Sequence, residues 1–175
     1  MSKFNSNLLK IKLFYFSLIG KIKNNNHKIN TSSTKLNTEK VLIIFPFNQT
    51  EFDVAKYSFR KLSLDSKSKY IFLINNVFHS STQLRGTTYG YNYFKSSEKI
   101  IINNDFYNDS IITNGVDAII DLNFTFNLDL ALIIDKIKSN YKICLKNNYS
   151  DFFFNIQFDS QTLESGYSKI NSMLN

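Results

Sequence analysis

Residues 41–47 read VLIIFPF, an unbroken apolar run rich in branched and aromatic side chains. A strand with one wet face alternates apolar and polar positions. A run without alternation belongs in a strand buried on both faces, as in a parallel sheet covered by helices. Pro46 has no amide hydrogen to donate, so the ladder should stop near it. Further runs recur at residues 70–74 (YIFLI), 99–102 (KIII), 116–122 (VDAIIDL), 141–145 (YKICL) and 152–158 (FFFNIQF).

The stretches between these runs carry helical periodicity. Residues 50–64 read as a helix with Thr50 as N-cap, Glu51 and Asp53 in the first turn, and Phe52, Ala55, Phe59 and Leu62 facing inward. A short helix is expected over residues 106–113. A stronger one covers 127–139, with Leu128, Leu132, Ile133 and Ile137 on its buried stripe, and a closing helix covers 163–174. Residues 76–97 place Gly86 and Gly90 around Tyr89, Tyr91, Tyr93 and Phe94 and read as a loop, or at most a short edge strand. Strands alternating with helices pair in parallel through right-handed crossovers. The expected fold class is α/β: an open, mostly parallel Rossmann-like sheet with helices on both faces, preceded by an N-terminal basic helix.

Charge divides the chain. Lys3, Lys10, Lys12, Lys21, Lys23, Lys28 and Lys35 all precede the first acidic residue, Glu39, and together equal the net charge of +7. The excess therefore sits on a leader, and the body after it is electroneutral. A globular nucleic-acid binder spreads its excess over a folded face, so nucleic acid is not the expected partner. Residues 4–23 read as a helix with Phe4, Leu8, Ile11, Tyr15, Leu18 and Ile22 on one face. Lys3, Lys10 and Lys21 flank that face on one side, Lys12 and Lys23 on the other. Leu9, Leu13 and Phe16 fall on the far side, so docking on the body or a protein partner accounts for the pattern as well as an anionic membrane does. The lysines before residues 13–19 also suit a signal peptide, but the following Gly-Lys-Ile-Lys is no cleavage site. The apolar run is too short to span a bilayer, which needs about 20 residues. Residues 24–38, mostly Asn, Ser and Thr, read as a linker. The division is thus 1–23 helix, 24–38 linker and 39–175 a single α/β domain, a length and hydrophobic content (43%) suited to one core.

Much common chemistry lacks its residues. One cysteine, Cys144, permits no internal disulfide, and two histidines without a cysteine partner make no structural zinc site. Neither glycine-rich phosphate fingerprint occurs, nor does a nucleophile elbow, so no cofactor is expected. Cys144 lies mid-strand and reads as a buried, inert thiol. Open parallel sheets bind ligands beyond the carboxyl ends of their strands. The ligand-side candidates there are Asn48, Asn75, Asn103, Asp121 and Asn123. Asp53 and Asp121 are the carboxylates to weigh, with helix-dipole and loop hydrogen-bonding roles as their simplest accounts.

Residues 40–46 (KVLIIFP), the helix after them ending Arg60-Lys61-Leu62, residues 116–123 (VDAIIDLN) and 141–145 (YKICL) resemble the amino-terminal domain of the heptosyltransferase-type glycosyltransferases of GT-B architecture. In that family a Gly-Asp pair opens the first helix, and the aspartate is the base toward a sugar acceptor. The resemblance implies Asp53 for that role, with Phe52 standing where the family has glycine. The family's carboxy-terminal, donor-binding domain and its Asp-[Ser/Thr]-Gly-x-x-His segment have no counterpart in the sequence. The resemblance therefore implies a glycosyltransferase-like domain that acts as a non-catalytic accessory or binding subunit at the cell envelope, cytoplasmic and peripheral at the inner membrane face. Two alternatives stand beside it. One is a split glycosyltransferase completed by a partner chain that supplies the donor-binding domain. The other is an interaction module whose basic leader binds anionic membrane or RNA.

Overall fold

Each apolar run becomes a strand, and the strands hydrogen-bond into one sheet. The computed structural model describes residues 3–20, 22, 36–62, 68–81 and 84–174. In chain order the elements are α1 (Lys3–Leu18), β1 (Lys40–Ile44), α2 (Gln49–Phe59), β2 (Lys69–Asn75), a 3-10 turn (Asn76–Ser81), β3 (Thr87–Phe94), β4 (Lys99–Ile102), α3 (Asn104–Asn108), α4 (Ser110–Asn114), β5 (Val116–Asp121), α5 (Leu128–Lys136), β6 (Ser139–Leu145), a 3-10 turn (Ser150–Phe152), β7 (Ile156–Phe158) and α6 (Leu163–Leu174). The sheet order is β4-β3-β2-β1-β5-β6-β7, parallel at every pairing but β3 with β4. This is an open Rossmann-like α/β sheet.

Because side chains alternate across a strand, β1 feeds two cores at once. Leu42 and Ile44 join Ile71, Leu73 and Ile119 under α3, α4 and α5, represented by Phe106, Ile112, Leu130, Ala131 and Ile134. Val41, Ile43 and Phe45 join Phe72, Ala118 and Ile120 under α2 and α6, through Phe52, Ala55, Phe59, Tyr167 and Ile170. All these side chains are buried, so no position from Val41 to Phe45 tolerates a polar residue. Ladder bonding at β1 ends where Phe45 N–H donates to Leu73 O, one residue before Pro46.

Several expectations need correction. Residues 87–94 are no loop: β3 is an eight-residue interior strand, parallel to β2 and antiparallel to β4. Gly90 is there for close approach, since a Cβ at that position would lie 1.9 Å from Asn76 Oδ1. The β4 edge is consequently the return arm of a hairpin and not another parallel crossover. The cap of α2 is Asn48, whose Oδ1 accepts from Thr50 N–H (2.9 Å) and Glu51 N–H (3.4 Å), and the helix ends at Phe59. Residues 106–113 divide into α3 and α4 because Asp109 stops the first and caps the second, its Oδ1 accepting from Ile111 N–H. Leu130, Ala131, Ile134 and Ile137 are buried in and just after α5, whereas Leu128, Leu132 and Ile133 are only partly covered. The last apolar run has its first residue, Phe152, in a 3-10 turn and residues 153–155 in the bend after it, leaving β7 three residues long.

The leader helix docks by the face opposite the expected one. Leu13 is buried, with Leu9 and Phe16 partly covered against the first core, whereas Ile11, Tyr15 and Leu18 face solvent. Gly20, at φ +68, ends the helix and lets Ile22 turn back into that core. Lys21, Lys23 and most of the expected linker lie outside the described residues; at its far end Leu36 N–H donates to Met173 O.

Candidate functional site

The sheet reverses direction between β1 and β5. From β1 the chain steps outward to β2 and β3, then returns to β5 on the other side of β1. After β1 it enters α2 on one face, and after β5 it enters α5 on the other. The two carboxyl ends diverge, and the crevice between them is where an open α/β sheet receives a ligand.

Four side chains build its walls, and two tyrosines stand behind them. Asp121 ends β5, and its Oδ1 accepts from Asn123 N–H (3.0 Å) and Asn123 Nδ2 (2.6 Å). Asn123 Oδ1 in turn accepts from Phe47 N–H at 3.0 Å, tying the segment after β5 to the segment after β1. Asn48 caps α2, which aims Glu51 across the crevice so that its Oε2 accepts from Phe124 N–H at 3.0 Å. Behind them, the Tyr91 hydroxyl donates to Phe45 O (2.9 Å) and the Tyr167 hydroxyl to Leu122 O (2.7 Å). The carbonyls that leave the central strands are thereby satisfied by tyrosines from β3 and α6.

Electrostatics set this site apart from the rest of the surface. Burial pushes the Asp121 carboxyl up to about 6, the Glu51 carboxylate adds repulsion, and the two bonds from Asn123 pull the other way. Glu51 is raised by burial, opposed by the Phe124 N–H. The Tyr91 and Tyr167 hydroxyls are raised by burial and by these same carboxylates, so they stay protonated donors. Asp121 thus holds its proton to higher pH than an ordinary carboxyl, inside a belt of hydrogen bonds. Its register neighbour on β6 is Cys144, buried and held as a thiol because burial raises it well above its ordinary value.

Of the residues singled out from sequence, Asn48, Asp121 and Asn123 come together here. Asn75 ends the adjacent β2, where its Oδ1 accepts from Val77 N–H (3.3 Å) and starts the 3-10 turn. Asn103 follows the antiparallel β4, so its chain runs back toward the amino edge of the sheet, with its N–H donating to Gly90 O. Asp53 is exposed on α2; Gln49 Nε2 donates to both its carboxylate oxygens at 3.0 Å. Sequence reasoning missed Glu51. The signal was its spacing, Asn48-x-x-Glu51, which is a capping-box pattern whose glutamate crosses to another strand end instead of closing on its own cap. Among the described residues no group of His, Cys, Asp and Glu has the arrangement to hold a metal ion, and no helix is long and apolar enough to cross a membrane.

Two grooves lie apart from these carboxyls, one on each side of α1. One of about 850 Å³ runs between α1, the 95–98 turn and α5, walled by Leu9, Phe16, Leu128 and Leu132 and rimmed by Lys12, Lys95 and Lys99. The other, about 420 Å³, has Lys10, Leu13 and Phe14 on one wall and Asn148, Tyr149 and Phe152 on the other. Lys3 belongs to α1 by its backbone.

The fold and this crevice define an open α/β domain with a switch point between its two central strands. Comparison of the chain with family models, with curated proteins and with solved structures found no match.

Proposed function

We propose that the chain is a glycosyltransferase-like α/β domain, of the kind that forms the amino-terminal half of a GT-B enzyme, serving as a non-catalytic binding or accessory subunit at the cytoplasmic face of the cell envelope. One observation carries the non-catalytic reading: α2 turns Glu51 toward the crevice and Asp53 away from it. A base must lie within hydrogen-bond reach of the proton it removes. Asp53, held by Gln49 on the outer side of its helix, is out of reach of an acceptor in the crevice. The resemblance in residues 40–46 and 116–123 supports the class, and the β1–β5 switch point, the position at which open α/β sheets take ligands, supports an acceptor-binding role.

The test is to incubate the purified chain with nucleotide-activated sugars and saccharide or lipid acceptors, and to follow both transfer and acceptor binding by calorimetry. Binding without transfer is expected, unchanged in Asp53→Asn and weakened in Glu51→Gln. Transfer that disappears in Asp53→Asn would replace the accessory reading with an enzyme. Absence of both binding and transfer would remove the crevice as an acceptor site.

A further inference from the structure

We propose that the outer face of α1 is a docking surface for an anionic lipid bilayer, and that it seats the carboxyl edge of the sheet against that bilayer. The inference rests on the envelope placement proposed above and adds the surface, its chemistry and its orientation.

The helix has two apolar faces, and only one is used. Leu9, Leu13 and Phe16, at positions i, i+4 and i+7, hold α1 on the body. Ile11, Phe14, Tyr15 and Leu18 repeat the pattern i, i+3, i+4, i+7 two residues out of phase, which is the opposite side of the helix. Their exposures are 66%, 66%, 58% and 69%, and Ile19 beyond them is 45% exposed. A docking helix needs one apolar face, so packing on the body leaves this second stripe without a reason. Single exposed apolar residues are ordinary, but a contiguous stripe of this kind marks a contact surface.

Charge identifies the partner. Lys10 stands on one shoulder of the stripe and Lys12 on the other, and across the larger groove Lys95 and Lys99 extend the basic rim. Two carboxylates share that groove, Glu98 and Asp129; Asp129 Oδ2 is occupied by Ile100 N–H at 2.8 Å. No acidic residue precedes Glu39. An apolar ridge with lysines on both shoulders matches acyl chains between anionic headgroups. A second copy matches poorly, because pairing ridge to ridge would set lysine shoulders against one another. The helix has 16 residues, on the order of 24 Å long, and lies in the interface without crossing it.

The walls beside α1 are the 95–98 turn after β3, the start of α5 after β5, and residues 148–152 after β6. All three follow carboxyl ends of parallel strands. Docking through α1 therefore brings the ligand edge of the sheet to the membrane, where an acceptor carried on lipid would lie.

The chain contains no tryptophan, so Leu18→Trp gives a single reporter on the outer stripe. The full chain carrying it is titrated with phosphatidylcholine vesicles, alone and with phosphatidylglycerol. Blue-shifted emission and co-sedimentation with the anionic vesicles only are expected. Neutralising Lys10 and Lys12 together should weaken that binding about 30-fold, from about fivefold for each charge near an anionic surface. Phe14→Ser should abolish binding while leaving the thermal midpoint in place, because Phe14 is exposed. Equal binding to neutral vesicles, or none to either, would overturn the proposal. So would a concentration-dependent dimer that Phe14→Ser dissolves. Cell fractionation separates this surface from the envelope reading. A membrane-recovered chain that ignores vesicles sinks the surface alone, and a vesicle-binding chain recovered wholly in the soluble fraction sinks the envelope placement alone.

Discussion

Replacing Asp121 by asparagine should make the protein's stability less sensitive to pH, and the size of the effect follows from burial. The carboxyl rises from an ordinary 3.8 to about 6 on folding because desolvation penalises its charged form, with Glu51 adding repulsion. A group whose folded value is raised binds more protons folded than unfolded between those two values. Stability therefore falls as pH rises through that window and levels off above about 6.5. At roughly 1.4 kcal/mol per pKa unit the whole effect is on the order of 3 kcal/mol, about 2 of which falls between pH 4.5 and 7.5. Asparagine keeps an oxygen to accept from Asn123 N–H and has no charge to desolvate. Urea midpoints for wild type and Asp121→Asn across that range should show the variant gaining about 2 kcal/mol on the wild type as pH rises. A flat difference would mean that Asp121 is solvated. A difference of the opposite sign would mean that the bonds from Asn123 outweigh burial.

Three further outcomes test the fold. Ile43→Ala should cost about 2–4 kcal/mol in denaturant melts, since Ile43 is fully buried on the central strand. Gly90→Ala should cost about 0.5–1.5 kcal/mol by driving the exposed Asn76 side chain off Asn92, to which its Nδ2 donates at 3.0 Å. In the Asn76→Ala background the same change should cost much less, and an additive double-mutant cycle would show that the crowding lies elsewhere. Lys142, nearly buried and paired with Asp135 at 3.2 Å, predicts an asymmetry. Asp135→Ala, which leaves the lysine only the backbone carbonyl of that residue at 3.3 Å, should destabilise by about 1–3 kcal/mol in thermal or urea melts, and Lys142→Met by less, because the more exposed aspartate can still reach water.

How far the sequence could be read depended on whether burial was decided locally. Residues 41–47 allow only a doubly buried strand, and the closing helix has the bounds its periodicity predicted, Leu163–Leu174. β3 was hidden because its two half-buried tyrosines and the buried Tyr91 bracket a glycine, and that glycine serves Asn76, not a turn. Both α1 and α5 carry more apolar residues than one face needs, so periodicity could not choose the packed side; the body does. At the crevice, strand-end logic found Asp121 and Asn123. The choice between Asp53 and Glu51 turned on where α2 begins. Asn48 rather than Thr50 caps that helix, and only the contact of Glu51 with Phe124, 73 residues on, separates the two carboxylates.

The order of the strands also bears on synthesis. β1 has one neighbour, β2, close behind it and the other, β5, far ahead, joined at its start where Asp117 Oδ2 accepts from Glu39 N–H and Lys40 N–H across 78 and 77 residues. While the chain is being made, the β1–β4 half can assemble with the apolar edge of β1 bare, and a bare apolar edge recruits other strands. Chains arrested after Asn114 should aggregate on release, and chains arrested after β7, with both edges of β1 and β5 paired, should not. The central strand of the finished sheet is, for some seventy residues of translation, its most adhesive margin.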